Sequence, residues 1–239
     1  TLARIKGMHG APAGRSDTVW TILVLAQPTV LVLAGALVGV LLAERVGLPS
    51  LLLSALRGTP RPPVTAAGLV IAVAAGLCAA LAILAIDIAV KSATLPNFAA
   101  LARAQIVAGT VPAAPAMAQA LLYGGIAEEI MLRFGLMTLL VFIAARLAPG
   151  IFAERPGWII GAAIVLSALL FGAGHLPIAA AQGPLTPAVV LRIVGLNAVA
   201  GLVYGWLYAR YGLEHAMLAH MATHVGFWTL TPVLVRLIV

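Results

Sequence analysis

The sequence predicts an all-α membrane protein: a polytopic bundle of about six to eight helices. Three observations carry that prediction. Of 239 residues, 63% are hydrophobic and only 9% are charged, too few to cover the surface of a water-soluble domain. The mean hydropathy is +1.12. The apolar residues also gather into runs of about 20 residues or more, the length a helix needs to cross the hydrocarbon core.

The runs lie near 20–42, 66–90, 116–142, 158–175, 188–209 and 215–238. The first begins at Trp20 and is too long for the apolar core of a signal peptide, so it reads as a span. Gln27-Pro28 predicts a kink in it. A shorter stretch near 47–57 follows, then the breaker-rich Gly58-Thr59-Pro60-Arg61-Pro62-Pro63 before the second span. Another short stretch, near 97–109, precedes the third. Both short pieces are expected as interfacial or re-entrant helices. Ala148-Pro149-Gly150 and Arg155-Pro156-Gly157 bracket the connection to the fourth span; Pro177, Gly183-Pro184 and Pro187 mark the next. In the fifth span, Gly201-x-x-x-Gly205 predicts close helix packing, as the Ala-rich bias does elsewhere. No period of 20–50 residues repeats. No hydrophilic block suits a separate soluble domain, so 20–239 is expected as one membrane domain behind a flank of 1–19.

Charge narrows the partners. The net charge is +7, from 14 Lys and Arg against 7 Asp and Glu. The cations Arg4, Lys6, Arg15, Arg45, Arg57, Arg61, Lys91, Arg103, Arg146 and Arg155 sit mainly beside apolar runs, where they meet the headgroups of a lipid bilayer. No basic stripe with interleaved aromatics is present, so nucleic acid is not an expected partner. The cations divide almost evenly between the two sides, so the positive-inside rule assigns no orientation. Cys78 is alone, which excludes an intramolecular disulfide.

The informative residues are polar ones at membrane depth, where each needs a partner or a function. Glu128 and Glu129 lie in the middle of the third run. Arg133, four residues after Glu129, shares its helical face and is expected to pair with it. Glu128 lies about 100° away around an α-helix and is expected to point elsewhere, free to act as a general base. His175 ends the fourth run, four residues after Phe171. His220 and His224 share one face of the last run, at a spacing that can hold a metal or a water. Asp87 and Lys91, four apart near a helix end, predict a local ion pair. Asn197 is expected to hydrogen-bond between helices. His9 and His215 lie near loops and read as incidental. Ser167 has no base near it in sequence.

Glu128-Glu129-x-x-x-Arg133, then Phe171-x-x-x-His175, then His220 resemble the three ordered motifs of the CAAX protease and bacteriocin-processing family, also called Abi. The stretch from Gly201 through Gly205 and Gly212-Leu213 to His220 resembles that family's third-motif region. The resemblance covers roughly 116–228. It implies an endopeptidase of about eight helices, in which Glu128 and His175 activate a water. His220 and the residue four after it would bind the oxyanion. That residue is commonly Asn in the family and is His224 here. Glu129 is counted with these catalytic residues, and Arg133, Phe171 and Asn197 are expected to support the site. The departure at His224 leaves two schemes open: a metal-free glutamate mechanism, or Zn²⁺ held by His175, His220 and His224 with Glu128. The implied substrate is a hydrophobic peptide or a membrane-anchored protein, CAAX-type and prenylated in some relatives. The implied location is the bacterial cytoplasmic membrane.

The residue types suit peptide hydrolysis on their own terms. Glu128 can take a proton from water and deliver it to the leaving nitrogen, while His175 orients that water. His220 and His224 can hold the tetrahedral oxyanion. Two rivals remain: a proton-relay transporter, which also uses Glu and His in the membrane, and a non-catalytic partner with the same fold. Inverted repeats with broken helices would favour the transporter, and none is found.

Overall fold

A computed structural model describes residues 17–60, 63–95, 97–107 and 112–238. Expectations placed on Arg4, Lys6, His9, Arg15 and Arg61 lie outside these residues, as does the end of the predicted 97–109 piece. Among the described residues there are helices and no strand, so the all-α bundle is found.

Helix α1 spans Asp17–Leu42 and passes through Pro28. A single 3₁₀ turn, Glu44–Val46, follows and closes on Gly47 at a φ of 72°, a conformation open to glycine at no steric cost. The short α2, Leu51–Arg57, starts where Ser50 caps the Leu53 amide at 3.2 Å. It ends on Gly58 at a φ of 65°. Then come α3, Ala66–Thr94, and α4, Phe98–Val107. Helix α5, Ala114–Leu147, carries the glutamates. The short α6, Pro149–Glu154, leads into α7, Pro156–Gly174, which α8, Leu176–Ala180, prolongs after a break at His175. Helices α9, Pro187–Tyr211, and α10, Leu213–Ile238, complete the bundle.

Among the described residues, five segments are long and apolar enough to cross a membrane: Leu25–Leu42 in α1, then α3, α5, Pro156–Ala180 and α9. The sequence predicts six. The sixth, α10, is as long as α1 at 26 residues. It is the most histidine-rich helix, with His215, His220 and His224, and this lowers its hydropathy. Large apolar side chains such as Leu147, Trp158 and Leu191 stand exposed on the outside, as lipid-facing surface does.

Glycines set the closest helix crossings. A Cβ on Gly201 would lie 2.8 Å from Ala168, and one on Gly205 would lie 2.9 Å from Ile164. The predicted Gly201-x-x-x-Gly205 packing is therefore α9 against α7. Gly76 lets α3 approach the Ala219 carbonyl of α10, and Thr223 donates to the Gly76 carbonyl at 2.9 Å. Hydrogen bonds tie the start of α10 to α2: Glu214 accepts from Ser50 Oγ at 2.8 Å and from the Leu51 and Leu52 amides at 2.9 Å.

Candidate active site

The glutamates sit in an unusual piece of helix. Within α5, Gln119–Glu128 and Ile130–Met137 adopt the wide π form, whose amides bond five residues back. Such turns are rare and collect at functional sites. The rotation per residue is no longer that of an α-helix. Glu128 takes no part in the Glu129–Arg133 pair, as expected, and the two carboxylates come to opposite ring nitrogens of His220.

Glu129 is fully buried. Its Oε1 accepts from Arg133 Nη1 at 3.2 Å, which is the predicted pair, and lies 2.8 Å from His220 Nδ1. Arg133 is fully buried too, and its Nη2 donates to the Gly201 carbonyl at 3.1 Å. Its guanidinium lies 4.9 Å from the Phe171 ring centre and 5.2 Å from that of Tyr204. Those faces suit a cation removed from water.

Glu128 opens on a cavity of about 620 Å³, and its Oε2 stands 3.9 Å from His220 Nε2. His220 thus sits between the two carboxylates. Its ring stacks on Tyr204 at 4.5 Å and on His224 at 5.1 Å. Trp228 extends the row beyond His224 at 6.3 Å.

His175 ends α7. Its Nδ1 lies 2.9 Å from the Phe171 carbonyl, and its ring meets the Phe171 ring edge-on at 4.9 Å. A carbonyl only accepts, so Nδ1 carries the hydrogen. In the neutral ring the lone pair is then on Nε2. The same logic applies to His220: Nδ1–H donates to the Glu129 carboxylate, which leaves Nε2 on the Glu128 side.

His175, His220, His224, Glu128, Phe171 and Asn197 all line this one cavity. Asn197 differs from its expectation in one respect. It donates to the Ile193 carbonyl of its own helix at 2.8 Å, not across helices, because the carbonyl four residues back is always within reach. Ser167 is buried and donates to the Ile164 carbonyl at 3.1 Å. His215 is buried beside Tyr211 and Gly68, away from the cavity lining.

The Zn²⁺ scheme finds no matching geometry. Among the described residues, no group of three or more His, Cys, Asp or Glu side chains is placed to hold a metal ion.

Sequence reasoning missed four contributors. Tyr204 stacks on His220; its signal was an aromatic between Gly201 and Gly205. Gly124 leaves room for the imidazoles, since a Cβ there would lie 2.6 Å from His224 Nε2 and 3.5 Å from His220 Nε2. Thr223 pins α10 to α3 beside the site. Arg192 pairs with Asp87, and its signal was a cation inside the fifth apolar run.

Residues 109–226 match the family model described as type II CAAX prenyl endopeptidase Rce1-like. The matched segment contains Glu128, Glu129, Arg133, Phe171, His175, His220 and His224, and it overlaps the stretch whose motifs carried the resemblance. No curated protein and no solved structure matches the chain.

Proposed function

We propose, from the match of residues 109–226 to the Rce1-like CAAX protease family model, that the chain is an intramembrane endopeptidase working through a water activated by Glu128 and His175. The substrate is a hydrophobic or membrane-anchored polypeptide, which reaches the cavity from the surrounding lipid. One observation carries the reading: Glu128, His175, His220 and His224 come from three different helices and face one cavity.

The fixed hydrogen bonds suggest the roles. His175 gives Nδ1–H to Phe171, so its Nε2 accepts from the attacking water and orients it. The Glu128 carboxylate takes that water's proton as oxygen bonds to the scissile carbonyl carbon. As the carbon–nitrogen bond breaks, Glu128 returns the proton to the leaving nitrogen. His224 has no ring-nitrogen hydrogen bond to protein among the described residues and can present an N–H to the oxyanion.

His220 has a more conditional part. Its Nδ1 proton is spent on Glu129, so Nε2 donates to an oxyanion only when the ring holds both protons.

The test is cleavage in membranes from cells overproducing the full chain, on a library of apolar carboxy-terminal peptides. Wild type should cut, and Glu128→Ala and His175→Ala should be silent while remaining folded. A chelator should leave the rate unchanged. Variants that cut as well as wild type would sink the assignment.

A further inference from the structure

The catalytic roles above leave Asn197 of α9 without a task. Its Nδ2 donates to the Ile193 carbonyl one turn back at 2.8 Å. A carbonyl only accepts, so this bond fixes which end of the amide is nitrogen and which is oxygen. Oδ1 is the end left over. It has no hydrogen-bond partner among the described residues, yet it is not sealed in the interior as the orphaned Glu129 Oε2 is. Asn197 lines the same cavity as Glu128 and His175.

Helix register puts that oxygen at the level of the chemistry. The spans α5, α7 and α9 alternate in direction, so α5 and α9 run the same way. They meet where Arg133 donates to the Gly201 carbonyl at 3.1 Å. One wide turn before Arg133 stands Glu128, and one turn before Gly201 stands Asn197. Helix α7 gives the same level from the other side. It runs against α9 with Ala168 beside Gly201, and a Cβ on Gly172 would lie 2.5 Å from the Val194 carbonyl. Asn197 thus falls beside the last turn of α7, which ends at His175.

A polypeptide that enters a cavity at membrane depth loses the water that bonded its main chain, and every N–H left unmet is costly. The carboxylates of the wall are engaged: Asp87 with Lys91 and Arg192, Glu129 with Arg133 and His220, and Glu128 with the attacking water. Gln119, the other amide side chain on the wall, stands about two wide turns before Glu128 on α5. Among the described residues, Asn197 Oδ1 is therefore the uncharged side-chain acceptor at the level of the cut.

We propose that Asn197 is a substrate-binding residue whose Oδ1 accepts a main-chain N–H of the substrate next to the scissile bond, holding the chain in register across Glu128 and His175. The proposal rests on the endopeptidase reading. Because Nδ2 is tethered to its own helix, the amide is set before substrate arrives and loses little freedom on binding. The contact reads the main chain and no side chain, so it fixes where the cut falls without demanding a sequence.

The test is binding of a fluorescent Leu/Ala peptide to the full chain in phosphatidylcholine nanodiscs, with Glu128→Gln as background to prevent turnover. Each amide of the peptide is replaced in turn by an ester, which removes the N–H and keeps the shape. One ester, adjacent to the bond that wild type cuts, should weaken binding about tenfold, the worth of one buried hydrogen bond. Adding Asn197→Leu should make that ester and the parent amide bind alike. Asn197 bonds only within its own helix among the described residues, so the variant gives up no tie between helices. If Asn197→Leu fails to fold, the same ratio in Asn197→Ala decides. Absence of a sensitive ester, or a sensitivity that survives Asn197→Leu, overturns the proposal. So does a loss in Asn197→Leu that is equal for every cleaved peptide and falls on kcat with KM unchanged, since Oδ1 then holds the water and not the chain. Cleavage by wild type, mapped by mass spectrometry, is scored separately. Cutting with no sensitive ester fails this proposal alone, whereas a sensitive ester that Asn197→Leu abolishes, without cutting, fails the endopeptidase reading alone.

Discussion

Glu129 holds His220 by a 2.8 Å contact between Oε1 and Nδ1, and the same oxygen accepts from Arg133 at 3.2 Å. One buried carboxylate oxygen therefore fixes both the tautomer of the histidine and the position of the cation. Removing the carboxylate strands Arg133 in the interior. Glu129→Ala should lower stability by about 3–5 kcal/mol, as breaking a buried pair does, and should also abolish cleavage. Thermal unfolding in detergent checks the first and peptide hydrolysis the second. Unchanged melting would show that Arg133 does not depend on Glu129.

Gly124 separates activity from stability. A methyl at this position would sit 2.6 Å from His224 Nε2, so the imidazoles must shift. Misplacement by about 1 Å can cost on the order of 10²-fold in rate. Gly124→Ala should therefore be folded and slow. Gly150→Ala, where a methyl meets nothing within 4 Å, should cut like wild type. Equal rates in the two variants would remove Gly124 from the site.

His224 occupies the position where the resembling family commonly has Asn. If its role is to donate to the oxyanion, a side-chain amide can replace it. His224→Asn should keep the rate within about tenfold of wild type, while His224→Ala should lose about 10²–10³-fold in kcat, the usual effect of deleting one oxyanion donor. Kinetics on one apolar peptide decide this. Equal loss in both variants would mean that the ring itself, stacked between His220 and Trp228, is what the site needs.

Gly201 joins packing to chemistry. Its carbonyl accepts from Arg133, and an added Cβ would lie 2.8 Å from Ala168 and 3.2 Å from Arg133 Nη2. Gly201→Ala should cost about 1–3 kcal/mol through overpacking. The companion change Ala168→Gly should recover much of that in a thermal melt. Failure of the rescue would locate the strain at Arg133 instead of at the α7–α9 crossing.

The sequence by itself determined the architecture and the chemical inventory. Long apolar runs leave the chain no other solvent than lipid, and a helix satisfies its own backbone there, so the all-α bundle was legible from composition and run length. Glu128, Glu129, Arg133, His175, His220 and His224 stood out because polar groups in such runs are costly and few, and Phe171 only through its spacing to His175 in the family resemblance. The Glu129–Arg133 and Asp87–Lys91 pairs followed from helical spacing alone.

What joins separate helices was decided only by the tertiary structure. That His220 lies between both glutamates is set by how α10 packs against α5, and no local residue pattern announces it. Arg192 reaches Asp87 from 105 residues away in sequence, and periodicity within one helix carries no information on such a pair. Gly124 matters through the rings that α10 brings against it. Local spacing fixes which residues share a helix face. Which faces meet is set by the depth at which each pair of helices can approach, and that is a property of the packed bundle.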